Sequence, residues 1–258
     1  MLQSRALSIK KRFLKMYIEA NAGHIGSSLS CTEILTFLRF GWMLDQDDFI
    51  LSKGHAAALL YSVWAEAGII SEKEIETFYK NGTYLSAHPP VNKIPGIPFA
   101  TGSLGHGLGL AAGLGLAARL KKDDKKIFCI TSDGEINEGS TWEAALFIVG
   151  QQLRNVVWII DRNKLQGFGY TEDIMPLEPL HDKLTAFGFS VLRIQGHSFE
   201  DLEKAKQFYT TESLNKPVAI IADTNKGNGW EEMEGTLGCH YLPMDQEQYN
   251  NMLSRLEN

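Results

Sequence analysis

The chain of 258 residues holds only three cysteines, Cys31, Cys129 and Cys239, too few and too scattered for a disulfide framework. Unpaired thiols of this kind fit a reducing compartment. Clustered positive charge is also missing, since the 25 lysines and arginines are dispersed and outnumbered by 31 acids. Nucleic acid and anionic membrane surfaces bind through basic clusters, so neither is expected as the main partner. There is no apolar run of bilayer-spanning length; the longest, around Gly107 to Leu120, is Gly/Ala-rich and ends in Lys121-Lys122. Acids are absent before Glu19, a trait of organellar targeting helices. Against that reading, Ile9, Phe13, Met16 and Ala20 fall on one helical face, and no small-residue cleavage site follows. The segment reads as a helix of the mature domain, and the protein as soluble and cytoplasmic.

With repeats and low-complexity linkers lacking as well, a hydrophobic content of 44% predicts one large domain over 1–258. Short runs rich in β-branched and aromatic residues recur at Ile127–Thr131, Val156–Ile160, Phe189–Ile194 and Val218–Ala222. Helices are expected between and before them at Ala56–Ala67, Glu72–Lys80, Leu108–Leu120, Thr141–Gln151 and Phe199–Tyr209, with Ser71 and Ser198 as N-caps. This alternation implies an α/β fold, a parallel β-sheet flanked by helices. The Pro/Gly-rich span Ala87–Gly102 reads as an ordered loop that shapes a site.

Two of the strands end in oxygen-bearing residues: Ile127–Ser132 leads into Asp133-Gly134-Glu135, and Val156–Asp161 into Asn163 and Leu165. In a right-handed β-α-β unit such strand ends lie side by side, at the sheet edge where open α/β folds bind ligands. Magnesium requires hard oxygen donors, and Asp133, the Asn163 amide and the Leu165 carbonyl offer three, leaving the other positions to phosphate oxygens and water. Gly134 allows a close backbone approach, and the following helix start offers N–H donors. Taken alone, Ser-Asp-Gly after a strand is more often a turn.

The segment Ser132-Asp133-Gly134-Glu135 followed by Asn163 resembles the thiamine-diphosphate signature, Gly-Asp-Gly followed by Asn, and it most resembles that of transketolases. Ser132 departs from the motif's first glycine. Further segments match in collinear order: Gly23-His24-Ile25-Gly26, Lys53-Gly54-His55, Ala87-His88-Pro89, Gly102-Ser103-Leu104-Gly105-His106, and Lys226-Gly227 with Cys239-His240. The resemblance implies a thiamine-diphosphate-binding fold, with thiamine diphosphate and Mg2+ (or Ca2+ or Mn2+) as cofactors. It places Gly102, Ser103, Leu104, Gly134, Glu135 and His55 against the cofactor, His24 and His88 on the sugar, and His240 on both. Lys226 would neutralise diphosphate, a solvent-facing lysine being the plain alternative. His106 stands where the family often has glutamine, and no role is assigned to it.

Imidazoles suit transfer of protons among ketose hydroxyls and stabilisation of an alkoxide. The resemblance covers only the diphosphate-binding domain of the family. The pyrimidine-binding half, with its activating glutamate, is expected on a partner chain, the C-terminal subunit of a split transketolase, in a heterotetramer of two copies of each. Glu138 resembles the acid that reaches that glutamate. The expected activity is ketol transfer between ketose and aldose (phospho)sugars. A modified or nucleotide-linked sugar, or a non-catalytic scaffold role, stand as alternatives. The pattern Gly107-Leu-Gly109-Leu-Ala-Ala112 imitates a dinucleotide-binding loop, but it follows a poor strand, so a helix-packing role is expected for its small residues.

Overall fold

The computed structural model describes residues 1–257. Its strands are β1 (Asp48–Leu51), β2 (Ile127–Ser132), β3 (Val156–Arg162), β4 (Leu165–Gln166), β5 (Gly169–Tyr170), β6 (Ser190–Gln195) and β7 (Val218–Asp223). Five form a parallel sheet in the order β1-β2-β3-β7-β6, and β4 and β5 pair as a small antiparallel hairpin. The four strands expected from the sequence all lie in the parallel sheet. The fifth, β1, is only four residues between polar segments, too short to carry a periodic signal.

Both faces of the sheet are covered, which is why its central strands are apolar throughout rather than alternating. Phe128, Ile130, Val157, Ile159, Val218 and Ile220 belong to one core, which is shared with the helices Leu2–Ala20, Ile25–Phe37, Ala57–Glu66 and Phe199–Glu212. Ile127, Cys129, Val156, Trp158, Ala219 and Ile221 point the other way. They pack on Gly107–Lys121, Gly139–Gly150 and Leu180–Phe187. The helix Ile25–Phe37 was not foreseeable from periodicity, because every one of its residues is buried and it has no polar stripe.

One expected helix is shorter than the sequence suggested. Ser71 and Glu74 form a reciprocal capping box, but the helix Glu72–Ile75 gives way to turns, and Tyr79 lies at φ 60°, outside any helix. Along Gly107–Lys121, a Cβ at Gly107 or Gly115 would collide with Ser52 or Val156, so those glycines let the helix pack closely. Gly109 and Gly113 face open space instead. On the same side of the molecule Leu120, Leu146 and Phe147 remain exposed.

A buried ion pair fixes the carboxyl end of the sheet. Lys53 follows β1, Asp161 lies at the end of β3, and the two side chains pair with no solvent exposure. Ser30 donates to the same carboxylate at 2.7 Å, Thr224, just past β7, donates to its other oxygen, and Lys53 donates to the Ser27 carbonyl at 3.1 Å. Burial alone would raise the Asp161 pKa, but Lys53 outweighs it and holds it below the usual carboxylate range. Likewise burial would lower the lysine, and Asp161 raises it. Removing one partner strands the other charge. Lys53→Met is therefore expected to cost ~3–5 kcal/mol in denaturant unfolding, and the double replacement Lys53→Met/Asp161→Leu less than the sum of the single ones. A single variant with the wild-type midpoint would refute the anchoring role.

Candidate active site

Ser132 pairs in register with Asp161 across β2 and β3, so Asp133 and Asn163 emerge side by side past adjacent strand ends. The departure at Ser132 has a structural explanation. Its backbone is extended (φ −104°), and its hydroxyl accepts from the Glu135 N–H, capping the short helix Asp133–Ile136. No glycine conformation is needed there. At Gly134, a Cβ would come within 2.8 Å of the Gln166 side chain, so this glycine lets the β4–β5 hairpin fold over the helix start.

Asp133 is buried, accepting from Gly134 N at 2.9 Å, Lys164 N at 2.6 Å and Thr171 Oγ1 at 3.2 Å. Burial and the neighbouring Asp161 raise its pKa, partly offset by those donors. Lys164 adopts φ 70°, a left-handed conformation that costs roughly 1 kcal/mol. This residue separates Asn163 from Leu165. The Asn163 amide oxygen accepts from Leu165 N at 3.1 Å, and the Leu165 carbonyl accepts from the Lys226 ammonium at 2.7 Å. Lys226 is thus buried in the site rather than solvent-facing, and burial, with Lys53 adding repulsion, pushes its pKa down to about 8.

A cleft of about 330 Å³ opens above these groups. Its walls include His24, His55, His88 and His240, together with Gly102, Leu104, Gly134, Glu138, Asn163, Leu165 and Lys226. The His24 ring centroid lies 5.0 Å from that of His240, 5.5 Å from His55 and 6.4 Å from His88. His24 is itself left-handed (φ 70°), and its N–H donates to the His240 carbonyl at 2.9 Å, joining two segments distant in sequence. At Gly102 (φ 143°), a Cβ would press within 2.7 Å of the His88 ring, so this position accepts no side chain. A second cavity of about 350 Å³ adjoins the first at His24, His55 and His88, and runs on to Asn21, Phe78 and Tyr79.

Three expected cofactor contacts do not line the cleft: Asp133, which is buried, and two that lie elsewhere. The Glu135 carboxylate turns inward, accepting from Ser52 Oγ and from Gly105 N at 2.8 Å, where it shapes the loop rather than the cleft. Ser103 is exposed on a separate depression that it shares with His106. Gln166, Gly167, Phe168 and Tyr241 line the cleft without having been singled out in the sequence; only the proximity of Tyr241 to His240 offered a signal.

The residues present suit a cation bridged to a phosphorylated group. One carboxylate, one amide and one backbone carbonyl form a hard-oxygen set of the kind magnesium accepts, with an ammonium alongside. Buried His240 Nδ1 has no hydrogen-bond partner among the described residues, as expected for an atom that meets a ligand. All four imidazoles are held toward the neutral form, chiefly by burial: His24, His55 and His88 below the ordinary value, and His240 down to about 3.

The fold and cleft define a diphosphate-binding α/β domain with its ligand groups at the carboxyl ends of parallel strands. More narrowly, residues 5–257 match the family described as transketolase, thiamine diphosphate binding domain, and the chain belongs to that family. It is 40% identical over 250 residues to an apulose-4-phosphate transketolase subunit of Phocaeicola vulgatus, covering 93% of this chain and 88% of that one. To the 6-deoxy-6-sulfo-D-fructose transketolase subunit of a Clostridium species it is 36% identical, covering 99% and 96%. The crystal structure of transketolase from Campylobacter jejuni superposes with a TM-score of 0.92 at 29% identity, over 99% of this chain but 42% of that one.

Because the folded state prefers these histidines neutral, the unfolded chain binds more protons once the pH drops below about 6.5, and stability falls there. The melting temperature should therefore decline from pH 6.5 toward 5, with a shallower slope in His240→Gln. Equal slopes would show that His240 is not held neutral by its surroundings.

Proposed function

We propose that the chain is the diphosphate-binding subunit of a two-chain ketol transferase that moves a two-carbon unit from a ketose to an aldose. The observation that carries this reading is a single cleft joining an oxygen set and an ammonium at the strand ends to a wall of neutral imidazoles. Asp133, Asn163 and the Leu165 carbonyl hold Mg2+ (or Ca2+ or Mn2+), and Lys226 neutralises the diphosphate. When bound, thiamine diphosphate supplies the electron sink that a ketose needs for cleavage beside its carbonyl. His55 lies toward the cofactor, and His24 and His88 toward the sugar, whose hydroxyl protons they accept and return as neutral bases. His240, close to His24, serves both.

Relatives of similar length are named for apulose-4-phosphate and for 6-deoxy-6-sulfo-D-fructose, which supports a modified sugar as a second reading beside ordinary (phospho)sugars. Relatives covered over 88% and 96% of their own length are named as transketolase subunits, which supports a pyrimidine-binding half on a partner subunit, in a heterotetramer of two copies of each chain in the cytoplasm. Exposed Glu138, at the start of the helix Gly139–Gly150 and on the cleft wall, faces that partner. The apolar surface around Leu146 and Phe147 lies on the same helix.

Ketose consumption by this chain alone should be negligible, and mixing with the partner should restore it as a species whose scattering mass fits two copies of each. In that mixture Glu138→Gln should lower turnover without lowering the melting temperature. Turnover by this chain alone at the rate of the mixture would refute the two-chain reading.

A second measurement separates the two ends of the cleft. His24→Ala and His88→Ala should retain thiamine diphosphate affinity, measured by calorimetry, while transfer falls by roughly 10²–10⁴-fold. Asp133→Ala should lose magnesium-dependent affinity itself. Loss of cofactor affinity in the histidine variants, or its retention without metal, would contradict these assignments.

A further inference from the structure

Outside the cleft, three charged or titratable side chains from distant segments converge beneath the turn that carries Lys226. Lys10 donates to Glu33 Oε1 at 2.7 Å, and His197 Nδ1 meets Glu33 Oε2 at 2.8 Å. Glu33 is buried, with 6% exposure, in the core-facing helix Ile25–Phe37. On its far side, His197 Nε2 lies 3.0 Å from the backbone N–H of Asn225, the residue before Lys226. A backbone N–H can only donate, so Nε2 accepts, and the ring proton sits on Nδ1 and is given to Glu33. The Asn228 Nδ2 lies 3.1 Å from the same Nδ1.

The turn is held at other places too: Thr224 N donates to the Arg162 carbonyl at 3.1 Å, Asn228 N to Asn225 at 3.2 Å, Gly227 N to Gly26 at 3.1 Å, Trp230 N to Gly227 at 2.8 Å, and Gly235 N to Lys226 at 2.9 Å. These bonds hold the turn around Asn225, and the His197 bond fixes the residue directly ahead of Lys226. We infer that His197, oriented by Glu33 and Lys10, is a positioning residue that aims the Lys226 ammonium at the Leu165 carbonyl and so at the diphosphate. The inference rests on the functional reading above. The charged groups that meet this ring are Glu33 directly and Lys10 through it, while the turn presents only the backbone N–H and the Asn228 amide.

The test uses the complex with the partner subunit. His197→Ala should raise the Kd for thiamine diphosphate with saturating magnesium about tenfold, the equivalent of one lost hydrogen bond to a rigid element. Without cofactor, deuterium exchange should quicken across residues 224–230 and stay unchanged in β3 and β7. His197→Gln, which keeps an acceptor near the Nε2 position, should recover most of the affinity that His197→Ala loses. Wild-type affinity in His197→Ala, faster exchange throughout the sheet, or no recovery of affinity in His197→Gln would each overturn the inference. A wild-type complex that binds no thiamine diphosphate would overturn the functional reading itself, a result distinct from these.

Discussion

The Lys53–Asp161 pair governs where everything in the cleft can be. A parallel sheet brings its carboxyl ends to one edge but does not dictate the course of the loops beyond them. Here one carboxylate collects a lysine from the loop after β1, a serine from the helix Ile25–Phe37 and a threonine from the loop after β7. Each of those segments then runs into the site, to His55, His24 and Lys226 respectively. Buried pairs of this kind gain little net stability, because desolvating two charges consumes most of their attraction. Their effect is positional, holding three loops in one register relative to Asp133 and Asn163.

Electrostatically the cleft has two ends. At the strand termini the Asn163 amide, the Leu165 carbonyl and the Lys226 ammonium line the wall, and the Asp133 carboxyl is buried at the end of β2, a set suited to a cation and the anionic group it bridges. The imidazole end is held neutral by burial and by the nearby positive charge of Lys226. Neutral rings can accept protons from hydroxyl groups, whereas imidazolium ions at His24, His55 and His240, with centroids 5.0–5.7 Å apart, would repel one another and the cation end. The same lysine thus serves the anion at one end and keeps the bases available at the other.

Much of this was legible in the sequence. The four long strands announced themselves because strands buried on both faces are written as continuous apolar runs. Asp133 and Asn163 could be paired from the order of the strands alone, because right-handed crossovers put consecutive parallel strands side by side. What stayed hidden had physical reasons. The helix Ile25–Phe37 is buried all round and mixes apolar residues with serines, threonines and Glu33, so it shows no periodicity, and β1 is too short to show any. Lys53, Asp161 and His197 read as ordinary polar residues until the fold closes them against partners more than a hundred residues away. The inward turn of Glu135 was equally invisible, since the residue type alone cannot say which side of a tight turn its carboxylate takes.

The Ser132 cap carries a lesson for recognising other chains. What this corner of the fold requires is an extended residue that closes the first turn of the helix Asp133–Ile136, and a hydroxyl meets that requirement through a hydrogen bond. The glycine in the familiar signature is one solution among several. A text search that insists on Gly-Asp-Gly would pass over this sequence, and over any other in which a small capping side chain stands at the same corner. A signature written in terms of backbone conformation and donor atoms would retrieve them.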